Sequence, residues 1–206
     1  CNVIQETSQG TQIEIVEPDD QCFKVFIPMP GKHNVLNALA AVSAAKMMGL
    51  SIEHIEHGLK ETHLSPHRTQ VSKHGDLTLI DDAYNAAPTS MLMALKMLMD
   101  LDKENRRVAI LGDMLELGSI EEQAHIDLGE TVATLKPDLF IGFGPMMKLA
   151  CNATSSAGVA TYHFDNSDKV ASSLNQLLTG NDTVLVKASR SMKGEKIINK
   201  ICEIYS

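Results

Sequence analysis

From Leu77 onward the sequence keeps one rhythm: a short uninterrupted apolar run, a polar turn, then an amphipathic stretch. The apolar runs fall at residues 77–80, 108–111, 139–141, 161–164 and 183–186. Between them the spacing predicts helices. One starts at about Thr89 and carries Met91, Leu92, Leu95, Leu98 and Met99 on a single stripe. The next opens on Ser119-Ile120-Glu121-Glu122, which reads as a capping box. Others cover residues 145–151 and 166–178, and the last has Ile197, Ile198, Ile201 and Ile204 on its apolar face. Strands that are apolar throughout must be covered on both sides, and helices between them make parallel connections. The pattern therefore predicts an α/β fold, a Rossmann-like domain with a mostly parallel sheet, over residues 67–206.

The first third follows a different rule. Residues 11–16 and 22–27 alternate with period two around the turn signal Pro18-Asp19-Asp20, as an antiparallel pair with one wet face would. Pro28-Met29-Pro30-Gly31 breaks that pattern, and a helix begins near Asn34 with small residues Ala38, Ala41, Ala44 and Ala45 to pack on a sheet. A second helix, residues 51–59, has Ser51 as its N-cap. The polar stretch 60–67, with Pro66, reads as a linker, which gives two domains, 1–66 and 67–206.

With 206 residues, the chain can bury about 70% of its unfolded surface without disulfide or metal staples. A formal charge of −8 argues against a nucleic-acid partner, which asks for a basic face, and against adhesion to an anionic membrane. There is no run of 18 apolar residues to insert into a bilayer. The four cysteines (Cys1, Cys22, Cys151, Cys202) show neither CxxC nor zinc spacing, so no metal site is expected and a cytoplasmic location is the simplest reading. The chain starts on Cys1 and reads as a piece cut from a longer one.

In open α/β sheets ligands sit beyond the carboxyl ends of the strands. The residues there are Asp81, Asp82, Tyr84 and Asn85; Gly112, Asp113 and Glu116; Gly142 and Gly144; and Lys187, Ser189 and Arg190. Acidic and basic groups on one rim suit ribose hydroxyls, an amine, and a carboxylate or phosphate. Two nucleotide fingerprints are absent. Gly142-Phe143-Gly144 lacks the third glycine of GxGxxG, since Met147 stands there. Gly31-Lys32 lacks the earlier glycine of a phosphate-binding loop, and His33 stands where Ser or Thr is needed. A phosphoreceiver reading fails because Gly142 follows the strand that should end in the acceptor Asp. Asn34 and Asn37, three apart at a helix start, can offer donor and acceptor together to an adenine edge, or can be a cap and a polar neighbour. His33 is equally open between a cap neighbour and a stacking platform.

The string Gly31-Lys-His-Asn-Val-Leu-Asn-Ala-Leu-Ala-Ala41 resembles the H-N-x-x-N-x-x-A-A segment of the Mur ligase family, ATP-dependent amide-forming enzymes of peptidoglycan assembly. Pro66-His67-Arg68, the run Ile80-Asp-Asp-Ala-Tyr-Asn-Ala-Ala-Pro-Thr-Ser-Met91, the run Leu111-Gly-Asp-Met-Leu-Glu-Leu-Gly118 and Val186-Lys-Ala-Ser-Arg190 follow in the family's order. The resemblance covers residues 25–206. They are most similar to the branch that joins D-alanyl-D-alanine to UDP-N-acetylmuramoyl-tripeptide. The resemblance implies that residues 1–66 are the C-terminal part of a central ATP-binding domain, and that 67–206 form the C-terminal domain that brings the incoming amine. It implies ATP and Mg²⁺ as cofactors, with the metal ligands, the phosphate-binding loop and the UDP-sugar domain before Cys1, so that the piece alone is inactive. By position, His33, Asn34 and Asn37 would bind the nucleotide base, Asp82 the ribose, and Arg68 the γ-phosphate as the catalytic cation. Tyr84, Asn85, Asp113, Lys187, Ser189 and Arg190 would line the dipeptide site, with Lys187 or Arg190 toward its carboxylate and Asp113 near its ammonium. The family acylates by way of an acyl phosphate on the tripeptide carboxylate, and a monomer is expected. One departure stands out: Ala87 replaces the Asn of the family's Tyr-Asn-Ala-Asn-Pro run. Two alternatives remain, a folylpolyglutamate synthase type of ligase and a nucleotide-binding module without chemistry.

Overall fold

A computed structural model describes residues 1–7, 10–16, 22–29, 32–62, 67–101 and 104–206, together with the backbone but not the side chains of Lys32 and His33. The turn at Pro18-Asp19-Asp20, the Pro30-Gly31 break and the middle of the expected linker, with Pro66, lie outside the described residues. The chain divides into two compact units, Cys1–Leu64 and Ser65–Ser206.

In the first unit, β1 (Asn2–Thr7), β2 (Gly10–Val16) and β3 (Cys22–Ile27) form an antiparallel sheet in that order. The alternation of β2 and β3 sends Ile13, Ile15, Phe23, Val25 and Ile27 to one buried side. Helices α1 (Lys32–Met47) and α2 (Ile52–Lys60) cover it with Val35, Ala38, Val42, Ile55 and Leu59. The buried stripe of α1 is therefore Val35, Ala38 and Val42, spaced 3 and 4. Ala41 and Ala44, expected on the packing face, are exposed. The Ser51 hydroxyl caps α2 by accepting from the His54 amide at 3.4 Å.

The second unit is a six-stranded sheet in the order β4-β5-β9-β6-β7-β8, built from β4 (Gln70–His74), β5 (Leu77–Asp82), β6 (Arg106–Gly112), β7 (Leu139–Phe143), β8 (Ala160–Phe164) and β9 (Asp182–Lys187). Only β4 runs antiparallel to its neighbour. Because strand side chains alternate, the apolar runs feed two cores. Leu79, Val108, Ile110, Ile141, Val184 and Val186 meet α6 (Ser167–Leu177) and α7 (Glu195–Tyr205) on one side. Ile80, Ala109, Leu111, Phe140 and Leu185 meet α3 (Pro88–Asp100), α4 (Glu121–Leu135) and α5 (Met147–Ser155) on the other. At the entry edge, Arg106 grips the fully buried Asp182 through Nε at 2.9 Å and a terminal nitrogen at 2.8 Å, tying β6 to β9.

The expected capping box is not formed: Gly118–Ile120 is a 3-10 turn, α4 starts at Glu121, and no side chain caps it. Glu116, just before this turn, and Gly118, its first residue, both take positive φ.

Candidate functional site

The last strand, β9, inserts between the first two of the parallel set, β5 and β6. The chain order thus switches at β9, and crevices for ligands open at such points. Register places Asp82 opposite Lys187 across β5–β9, and Lys187 opposite Leu111 across β9–β6. The family strings that lie in the second unit therefore converge on one rim, although up to 105 residues separate partners.

The rim sorts into buried and exposed groups. Lys187, 3% exposed, donates from Nζ to Asp82 Oδ2 at 2.5 Å and to the Asn85 carbonyl at 2.9 Å. Asp82 Oδ1 accepts from the Thr69 amide at 2.9 Å and from its hydroxyl at 3.1 Å. Lys187 is thus a paired cation facing a carboxylate of its own chain. Ser189 is also inside: its amide donates to the Asp113 carbonyl at 3.2 Å, and its hydroxyl accepts from the Leu115 amide at 2.9 Å.

Asp113 does not stand where a ligand ammonium could meet it. It is 1% exposed, and its carboxylate accepts from the Met147 amide at 2.7 Å and the Met146 amide at 3.3 Å, at the opening of α5. Burial pushes its carboxyl above the ordinary range, against the opposing pull of those two amides. Gly144 faces it at φ +106, where a Cβ would lie 2.5 Å from the carboxylate, so the Gly142-Phe143-Gly144 turn serves close approach to Asp113. Behind the loop, His125 is fully buried. Its Nε2 accepts the Met114 amide at 3.1 Å, so the ring proton sits on Nδ1 and is donated to the Glu121 carbonyl at 2.7 Å.

The exposed groups are Arg68, Tyr84, Asn85 and Arg190. The Arg68 guanidinium lies over the Tyr84 ring, 4.0 Å from its centroid, and that of Arg190 lies 5.4 Å from the same centroid. Among the described residues neither arginine has an ion-pair partner. Two exposed cations over one ring can together meet anionic oxygens. Asn85 turns its own Oδ1 to the Ala86 amide at 2.8 Å, leaving its amide nitrogen outward. In the first unit, Asn34 is buried and Asn37 exposed on the first turns of α1; Asn34 lies inside the helix and is not its cap. The side chain of His33 lies outside the described residues. Sequence reasoning passed over His67, Thr69 and His125, whose partners 4 to 14 residues away are set by the loops and strand ends of the fold rather than by a local pattern.

This rim and fold define a class. Residues 67–190 match the family described as Mur ligase, glutamate ligase domain, and residues 2–45 match the Mur ligase middle domain. The chain belongs to the Mur ligase family. It is 31% identical to the UDP-N-acetylmuramoyl-tripeptide–D-alanyl-D-alanine ligase of Bacillus subtilis, over 97% of this chain and 44% of that protein. It is likewise 31% identical to the Escherichia coli protein of the same name, over 97% of this chain and 43% of that one. A crystal structure of MurF from Acinetobacter baumannii superposes with a TM-score of 0.84 at 28% identity, covering 97% of this chain and 44% of that one. The chain thus spans less than half the length of the relatives it matches. Among the described residues no helix is long and apolar enough to cross a membrane, and no group of three His, Cys, Asp or Glu could hold a metal.

Proposed function

We propose that this chain is the acceptor-side part of an ATP-dependent amide ligase that joins D-alanyl-D-alanine to UDP-N-acetylmuramoyl-tripeptide in peptidoglycan precursor synthesis. Residues 1–66 are then the C-terminal part of the ATP-binding domain, and 67–206 the domain that presents the dipeptide. The observation that carries the reading is the pair of unpaired guanidiniums, Arg68 and Arg190, stacked on Tyr84 at the switch point of the sheet.

In this reading Arg68 grips γ-phosphate oxygens and stabilises charge as the phosphoryl group moves. His33, Asn34 and Asn37 hold the base. Asp82 already uses three of its roughly four acceptor sites on Thr69 and Lys187, so it has room for one ribose hydroxyl rather than a vicinal pair. ATP, with Mg²⁺ held by ligands outside this chain, supplies the phosphoryl group that activates the tripeptide carboxylate. Arg190, exposed and unpaired, is better suited to the dipeptide carboxylate than Lys187, which is buried against Asp82. Tyr84 and Asn85 complete that pocket, while Asp113 and Ser189 brace the loops around it. The protein is taken to act in the cytoplasm as a monomer.

The test is the complete protein supplied with ATP, Mg²⁺ and both substrates, with the UDP-linked pentapeptide detected by mass. Arg190→Ala should raise the KM for D-alanyl-D-alanine by about tenfold or more, the loss of one charged hydrogen bond, and leave the KM for ATP little changed. An unchanged dipeptide KM would remove Arg190 from that role, and absence of the pentapeptide would overturn the ligase reading.

A further inference from the structure

The turn that carries Arg68 is strained on both sides. His67 has φ +63 and Thr69 φ +50, both in the left-handed region. That region is costly for any residue with a Cβ and is most unusual for a β-branched one. Such conformations persist only where the surroundings over-determine them. Here the surroundings are explicit. The His67 carbonyl accepts the Tyr84 amide at 2.9 Å, and His67 Nδ1 lies 2.8 Å from Asp81 Oδ2. Thr69 gives both its amide and its hydroxyl to one oxygen of Asp82, whose other oxygen is held by buried Lys187. Every anchor belongs to the end of β5, the turn after it, or the end of β9. Only Arg68 between them is left without a polar anchor, and its guanidinium rests on Tyr84.

We propose that His67 and Thr69 are positioning residues: they clamp a left-handed turn onto Asp81 and Asp82 so that Arg68 is presented over Tyr84 before any ligand arrives. The inference rests on the proposed role of Arg68. Thr69 touches no reactant and acts through the arginine, so its effect belongs to the chemical step and not to dipeptide binding. A pre-set arginine meets developing charge without reorganisation, which is where a fixed cation is worth most. Lys187 belongs to the same clamp, since it fixes the Asp82 carboxylate and the Asn85 carbonyl together.

The test compares Thr69→Val, which keeps the shape and removes the hydroxyl bond, with Thr69→Ser, which keeps the bond, in the complete protein. Thr69→Val should lower kcat about tenfold, with the KM for D-alanyl-D-alanine within about twofold of wild type. Thr69→Ser should stay near wild type, and both variants should be folded in thermal melts. A Thr69→Val enzyme with wild-type kcat would overturn the proposal. So would a Thr69→Ser enzyme as slow as the valine variant, or a loss that only follows the fraction of folded protein. Failure of the wild-type protein to turn over would instead strike the ligase reading on which the proposal stands.

Discussion

Three rim residues that look alike in the sequence have different work in the fold. Asp113 and Lys187 are inside, committed to the chain itself, while Arg190 is free to meet a ligand. Asp113→Asn tests the first of these. The amide side chain can keep the Met147 bond but turns a donor toward the Met146 amide, so the variant should lose about 1–3 kcal/mol at neutral pH. The pH dependence has a definite sign. Burial raises the folded carboxyl above its unfolded value, so the folded state holds the proton more tightly. The stabilisation from that proton is complete below the unfolded value of about 3.9 and is lost as pH rises through the raised folded one. The stability of wild type relative to Asp113→Asn should therefore rise as pH falls from 7 toward 4, followed by urea unfolding. A flat or opposite trend would contradict a buried, shifted Asp113. Asp113, Lys187 and Asp82 were legible as rim residues, because they end apolar runs. Their pairings were not, because the insertion of β9 between β5 and β6 is a long-range event that no local pattern encodes.

Among the elements, those with a buried face announced themselves. The runs that became β5, β6, β7 and β9 are buried nearly end to end, and their hydrophobicity alone marks them. β1 and β4 were not foreseen. β1 is exposed throughout and β4 nearly so, hence their sequences, NVIQET and QVSKH, carry no signal of a core. Both are edge strands, and Lys73 in β4 is the kind of charge that keeps an edge from pairing with another chain. The start of α3 offers a direct test. Ala87 sits at its N-cap with extended backbone, φ −144 and ψ 156, and no side chain caps the helix there. The Ser90 hydroxyl reaches back to accept the Ala87 amide at 3.0 Å and donates to the Ala87 carbonyl at 2.9 Å, but the Ala87 side chain has nothing to offer the first-turn amides. Asn, the residue of the related string, would accept from the first-turn amides. Ala87→Asn should stabilise the second unit by about 1 kcal/mol, read as a higher urea midpoint with an unchanged slope. No gain would mean that the first turn of α3 already satisfies its amides in another way.

For the molecule as a whole, the chain divides into two compact units. The first carries the asparagines of α1 and the second carries Arg68, Asp82 and the rim at the carboxyl end of the sheet. The fold class was legible from the alternation of strands and helices, and the family from five ordered strings. The division of the rim into buried and exposed residues emerged only with the burial of each side chain. The central claim is the joining of a dipeptide to a UDP-linked tripeptide at the expense of ATP. It is tested most directly by phosphate release from ATP and Mg²⁺ in the complete protein, measured with each substrate alone and with both. Release that requires UDP-N-acetylmuramoyl-tripeptide and D-alanyl-D-alanine together, with this 206-residue chain silent by itself, is the predicted result. Release indifferent to the dipeptide, or turnover by this chain alone, would contradict it.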